Sequence, residues 1–134
     1  MFDGSYNELS VITHAKELCS YVLTVTQKSP KHFRYTFVSR LQNLALDVVE
    51  QLFRANEVFV KRGDARAAAK RIEHQRNAST SLKLLIYMAQ VAYEQGCILM
   101  KQYEQISTLG LDCRRELGAW INSDKKRFHS DEEM

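Results

Sequence analysis

The sequence predicts an all-α protein: an up-down four-helix bundle forming one domain over residues 1–123, with a charged tail over 124–134. Three observations predict it. Apolar residues recur three and four apart along four stretches, the period of a helix with one buried stripe. One Pro and five Gly, placed mostly near likely boundaries or late in the chain, leave those stretches almost free of breakers. With 45% apolar residues, a chain of 134 can bury a core without disulfide or metal staples.

The first helix is expected to start at Ser5, because Ser5 and Glu8 form an S-x-x-E capping box. Val11, Ala15, Leu18, Val22 and Val25 make its apolar stripe, and "QKSP" stops it. Ser29 as N-cap and Pro30 at the first helical position open the second helix. Its core line reads Phe37, Leu41, Leu44, Val48, Leu52, Ala55 and Phe59, opposite a charged line from Arg40 to Lys61. On that line Glu50 with Arg54, and Glu57 with Lys61, are acid-before-base pairs four apart.

"KRGD" breaks the second helix, with Gly63 suited to a left-handed C-terminal position and Asp64 to cap the third. The third helix has two halves. Up to Ser79 its inward positions are small or polar (Ala68, Ile72, Gln75, Ser79); from Leu82 to Tyr93 they are large. "EQG" ends it. The fourth helix follows with Leu99, Tyr103, Ile106, Gly110, Cys113, Leu117 and Trp120. Gly110 and Gly118 inside it point to close helix approach or to plain tolerance. After Asn122 the segment "SDKKRFHSDEEM" is charged and aperiodic, so a frayed or disordered end is expected.

Net charge is +3 but unevenly spread. Lys28, Lys31, Arg34 and Arg40 lie in a stretch without an acid. Between Lys61 and Lys83 stand Lys61, Arg62, Arg66, Lys70, Arg71, Arg76 and Lys83 against only Asp64 and Glu73. Such clusters are either solvated helix faces or surfaces for an anionic partner such as RNA or DNA. Arg62, Arg66, Lys70, Arg71, Arg76 and Lys83 are therefore the candidate nucleic-acid contacts.

No catalytic or cofactor constellation emerges, so no enzyme, cofactor or metal is expected. His14, His32, His74 and His129 are scattered without the convergence a metal needs. Cys113 falls on a core line, where a thiol serves as a small apolar residue rather than a nucleophile. "KRGDARAA" has one Gly and no GK[ST], so it is not a phosphate loop. Cys19, Cys97 and Cys113 are odd in number and form no CxxC, which argues against a disulfide framework and for a reducing cytoplasm. No run approaches the length of a membrane span, and "MFDGSYNELS" lacks a signal-peptide layout.

"FRYTFVSRLQNLALDVVEQLFRAN" resembles the second-helix signature of the accessory variability determinant family of diversity-generating retroelements, R-[FY]-x-[FL]-x-x-R-[IL]-x-N-x-A-L-D-[IV]-x-E. The matching positions include Arg34, Tyr35, Phe37, Arg40, Leu41, Asn43, Ala45, Leu46, Asp47, Val48 and Glu50. "ILMKQYEQISTLGLDCRRELGAWINS" is similar to that family's last helix, with K-Q-Y-E at Lys101 to Glu104 and L-G-x-W-I at Leu117 to Ile121. The likeness spans residues 10–123. Four-helix proteins encoded in intervening sequences of bacterial ribosomal RNA are broader relatives of that group. The resemblance implies a ring-like homopentamer with a central channel. It also implies a non-catalytic subunit that binds a reverse transcriptase and helps template RNA to be copied with errors at adenines. One departure stands in the third helix: where the family carries L-[RK]-x-L-x-R-L-A, this chain reads "LKLLIYMA", keeping Lys83 and placing Tyr87 at the second cation. The alternative from the residues alone is a structural bundle whose oligomer scaffolds another protein. Tyr21, Phe53 and Tyr87, off the main core lines, favour self-association under either reading.

Overall fold

In the computed structural model, residues 9–133 are described, with side chains to residue 128. The Ser5–Glu8 capping box lies outside them. Helix α1 spans Ser10–Thr26, and its predicted stripe Val11, Ala15, Leu18, Val22 and Val25 is buried, joined by Ile12, Cys19 and Thr26. Thr26 sits buried at the helix end because both sides of its hydroxyl are satisfied. It donates to the Val22 carbonyl at 2.6 Å and accepts from Gln42 Nε2 at 3.0 Å, which ties α1 to the next helix.

The second helix does not begin as expected. Residues Lys31–Phe33 form a tight 3₁₀ turn and Arg34–Val38 a wide π turn before the regular α2 helix, Ser39–Glu57. Ser29 is not its cap; its hydroxyl instead faces the Cys97 thiol at 3.6 Å. The tight and wide turns have opposite winding errors, so Phe37 still joins Phe33, in edge contact at 5.8 Å, against the core. Leu41, Leu44, Val48, Leu52 and Ala55 are buried as predicted. Phe59 is not. The helix ends at Glu57 and Val58 turns extended, which leaves Phe59 76% exposed and takes Lys61 off the face shared with Glu57.

Gly63 adopts φ +80°, and the Asp64 carboxylate accepts the Ala67 amide at 3.0 Å, so the chain reverses and caps α3, Ala65–Glu94, as the sequence predicts. The buried line of α3 is Gln75, Ala78, Leu82, Leu85, Ala89 and Ala92. Ser79 and Tyr93, expected inward, are only half-buried, and Tyr93 stacks on Tyr103 at 6.1 Å. Gly96 at φ +84° follows the end of α3.

Helix α4 spans Met100–Glu133. Leu99 stands just before it as a cap, its amide donating to Gln102 Oε1 at 2.8 Å, so it is 68% exposed instead of lying in the core line. Ile106, Gly110, Cys113 and Leu117 are buried. A Cβ on Gly110 would lie 2.9 Å from two Ile86 side-chain carbons, so α3 and α4 do approach closely there; at Gly118 nothing stands within 4 Å. The tail also departs from expectation. The helix runs on through the charged segment, and Asp124 is 5% exposed.

Each helix packs on its predecessor and α4 closes on α1, the cyclic order of an up-down bundle. Among the described residues no helix is long and apolar enough to cross a membrane.

Candidate nucleic-acid interface

The first half of α3 is rich in alanine, which favours helix while covering little surface. Arg66, Lys70 and Arg76 therefore stand clear of the core. Arg66 and Lys70, four apart on one face, are exposed and border a hollow of about 530 Å³ with Asp64, Ala69 and Glu73. Arg76 and Lys83, two turns apart, share a neighbouring face and are also exposed. None of these four makes an ion pair among the described residues. Arg62 is exposed in the turn before α3, off the helix on which the spacing placed it.

The first turn of α3 holds no acid, and Arg66 is its second residue. A cation there opposes the positive end of the helix dipole, at a cost of some 0.3–1 kcal/mol.

Arg71 does not belong to the surface on which the sequence placed it. Its side chain is 13% exposed and pairs with Asp124 at 2.7 Å. The guanidinium also lies 5.0 Å from the Trp120 ring centre and donates to the Val58 carbonyl at 3.4 Å. Asp124 in turn accepts from Gln75 Nε2 at 2.8 Å and Arg127 at 3.2 Å. Sequence reasoning missed Asp124, Gln75 and Trp120 as one cluster. The signal was available in the helical period, because Arg71 continues the buried line of α3 one turn back from Gln75.

The positions matching the retroelement-family signature divide between the core, where Leu41, Ala45 and Val48 are buried, and the outer side of α2. Arg34 lies in the π turn, and Arg40, Asn43, Asp47 and Glu50 are all exposed. Glu50 pairs with Arg54 at 2.9 Å, and Asn43 donates to Ser39 Oγ at 3.4 Å. These residues form a mixed polar face with no group poised against another for proton transfer.

Elsewhere the chemistry is quiet. Burial, helped by Glu116, Asp112 and Glu17, pushes the Cys113 thiol up to about 12, so it holds its proton at neutral pH. His14 and Ser10 both bond the Glu116 carboxylate, and His74 bonds Gln51 at 2.7 Å. No group of metal-binding residues converges among those described. Between the start of α3 and the end of α4 lies a mostly apolar groove of about 570 Å³, walled by Ala65, Ala68, Ile72 and Phe128. The buried Gln75 Oε1 beside it has no hydrogen-bond partner among the described residues.

The site and fold together define a helical bundle with a basic flank. The chain matches no protein-family model and no curated protein.

Proposed function

We propose that this chain is a non-catalytic, nucleic-acid-binding accessory subunit of a reverse transcriptase, of the kind that serves diversity-generating retroelements. It acts in the cytoplasm as a homo-oligomer, a pentamer by resemblance. The observation that carries this reading is the set Arg66, Lys70, Arg76 and Lys83, exposed on one helix without ion pairs among the described residues. Cations so placed release counterions from phosphate and bind RNA or DNA with little sequence preference. A ring repeats the set and multiplies its field. The signature on α2 supports the partner assignment, and the buried, protonated Cys113 fits a subunit that makes no bond itself.

Titration of a structured RNA with the purified protein between 50 and 200 mM salt tests the reading. Affinity should fall by at least tenfold across that range. An absence of binding at the lowest salt overturns it.

A scaffold without nucleic acid is the second reading. It is favoured by Leu46 (48% exposed) and Phe53 (58% exposed), seven apart on α2, with Leu84 and Tyr87 exposed on α3. Under it, light scattering shows an oligomer that leaves the RNA free.

A further inference from the structure

A second cationic feature lies at the opposite end of the bundle from the Arg71 cluster. The turn between α1 and α2 walls a polar hollow of about 550 Å³, bordered by Ser29, Lys31, Arg34, Tyr35 and Ser39. That volume falls within the range of small-ligand pockets. No acid occurs in the sequence between Glu17 and Asp47, so this wall has no built-in counter-charge. Lys31 and Arg34 are exposed and make no ion pair among the described residues.

Their spacing matters. The Arg34 amide bonds the Lys31 carbonyl in the 3₁₀ pattern, in which residues three apart eclipse one another. The tight turn thus brings the two cationic positions to the same side of the chain, and both border the hollow. Tyr35 follows in the π turn and is 86% exposed, an aromatic ring left almost wholly in water beside them. Two cations, two hydroxyls and an exposed ring around one hollow suit a ligand that carries both a phosphate and a flat base.

We propose that this hollow takes one nucleotide unit of a single-stranded nucleic acid. Lys31 and Arg34 hold its phosphate, Ser29 and Ser39 offer hydroxyls to the sugar-phosphate, and Tyr35 stacks on its base. The inference rests on the nucleic-acid reading above but assigns it a separate task. The α3 cations bind phosphates of any strand, whereas a base reaches Tyr35 only when it is not paired.

Fluorescence anisotropy with labelled decauridylate and with an RNA duplex of equal length, both at 50 mM salt, tests it. Tyr35→Ala should weaken the single strand roughly tenfold and leave the duplex unchanged, and Tyr35→Phe should keep wild-type binding. Lys31→Gln with Arg34→Gln should weaken the single strand and flatten its salt dependence. Unchanged decauridylate affinity in Tyr35→Ala overturns the base contact. If the lysine–arginine double variant alone loses affinity, the hollow is a phosphate site without base recognition, and the proposal fails. If duplex is bound through Arg66 and Lys70 while all turn variants behave as wild type, the hollow is excluded and the broader function stands. If the wild-type protein binds neither probe, both fall together.

Discussion

Arg71 on α3 and Asp124 on α4, fifty-three residues apart, meet in a two-pronged ion pair, Nε to Oδ2 at 2.7 Å and Nη2 to Oδ1 at 3.2 Å. Both side chains are nearly closed to solvent, at 13% and 7% exposure. Gln75 and Arg127 fill further acceptor sites on the carboxylate, and Trp120 flanks the guanidinium. A charge pair this dry contributes little by existing, but breaking it strands a buried charge.

Asp124→Ala should therefore destabilise the protein by about 3 kcal/mol in urea unfolding. Trp120, the one tryptophan, reports the transition by its fluorescence. Replacing the buried members together, as Arg71→Met, Gln75→Leu and Asp124→Leu, should recover most of that loss, since no buried polar group of the three is then left stranded. A triple variant no more stable than Asp124→Ala would show that the cluster is not the source of the effect.

Truncation gives a second measure of the same contact. A chain ending at Ser123 should lose about as much stability as Asp124→Ala, since both remove the carboxylate. A chain ending at Phe128 should melt within a few degrees of the full protein. Equal melting of all three chains would make the end of α4 irrelevant to the fold.

On the basic flank, stability and binding should move in opposite directions. Arg66→Glu replaces a cation with an anion at the start of α3, where the dipole favours it, and should stabilise by some 0.3–1 kcal/mol. Combined with Lys70→Glu, it should weaken RNA binding across all sequences and flatten its salt slope. Unchanged RNA affinity at low and moderate salt would make the flank mere solvated surface.

The two helical glycines of α4 should answer alanine differently. Gly118→Ala meets nothing within 4 Å and should stabilise by about 0.5–1 kcal/mol through helix propensity. Gly110→Ala drives a methyl to 2.9 Å from Ile86 and should cost about 1 kcal/mol net. Thermal unfolding of the pair separates them, and a Gly110→Ala stabilised as much as Gly118→Ala would deny the close approach of α3 and α4.

Alkaline titration should expose the buried thiols. The Cys113 pKa is raised to about 12, chiefly by burial, while in the unfolded chain it lies near its ordinary value of 9.0. The thiol's contribution is thus intact below pH 9 and lost as the pH climbs towards 12, because only the unfolded state releases its proton there. Burial raises Cys19 and Cys97 in the same direction. Unfolding free energy measured from pH 8 to 11 should fall, and Cys113→Ala should fall less steeply. Rapid labelling of native Cys113 by a thiol reagent at pH 8 would contradict its burial.

The bundle was legible because the apolar period holds over most of its length and the turn and cap at Gly63 and Asp64 agree with it. Gly63, Asp64 and the α1 and α2 stripes lie as their residue types require. What failed was reasoning about charge by composition. Arg71, Gln75, Ala78, Leu82, Leu85, Ala89 and Ala92 form one alternation of four and three, and Ile106, Gly110, Cys113, Leu117, Trp120 and Asp124 form another. Read by period, each line ends in a charge of opposite sign. Read by charge, Arg71 looked like surface and Asp124 like tail. Phe59 and Leu99 erred differently: each extends an apolar line by one turn past a helix end, where local backbone geometry overrides the period. Of the basic site, exposure of Arg66, Lys70, Arg76 and Lys83 followed from the small residues between them. The hollow beside Tyr35 did not, since it depends on turns that no propensity scale resolves.

The π turn at Arg34–Val38 also separates two things that a regular helix keeps locked together. Along an ordinary α-helix each residue advances the azimuth by about 100°, so deleting one rotates everything upstream by that amount relative to the part already packed. A wide turn is the natural place to absorb such a change, because it holds one residue more than an α turn. From Leu41 onward the helix is fixed by its partners, whereas the direction in which Lys31, Arg34 and Tyr35 point is set upstream of them. Single-residue insertions and deletions here therefore re-aim the mouth of the α1–α2 turn while the line from Leu41 to Ala55 stays in phase, at the cost of the Phe33 and Phe37 contacts with the core.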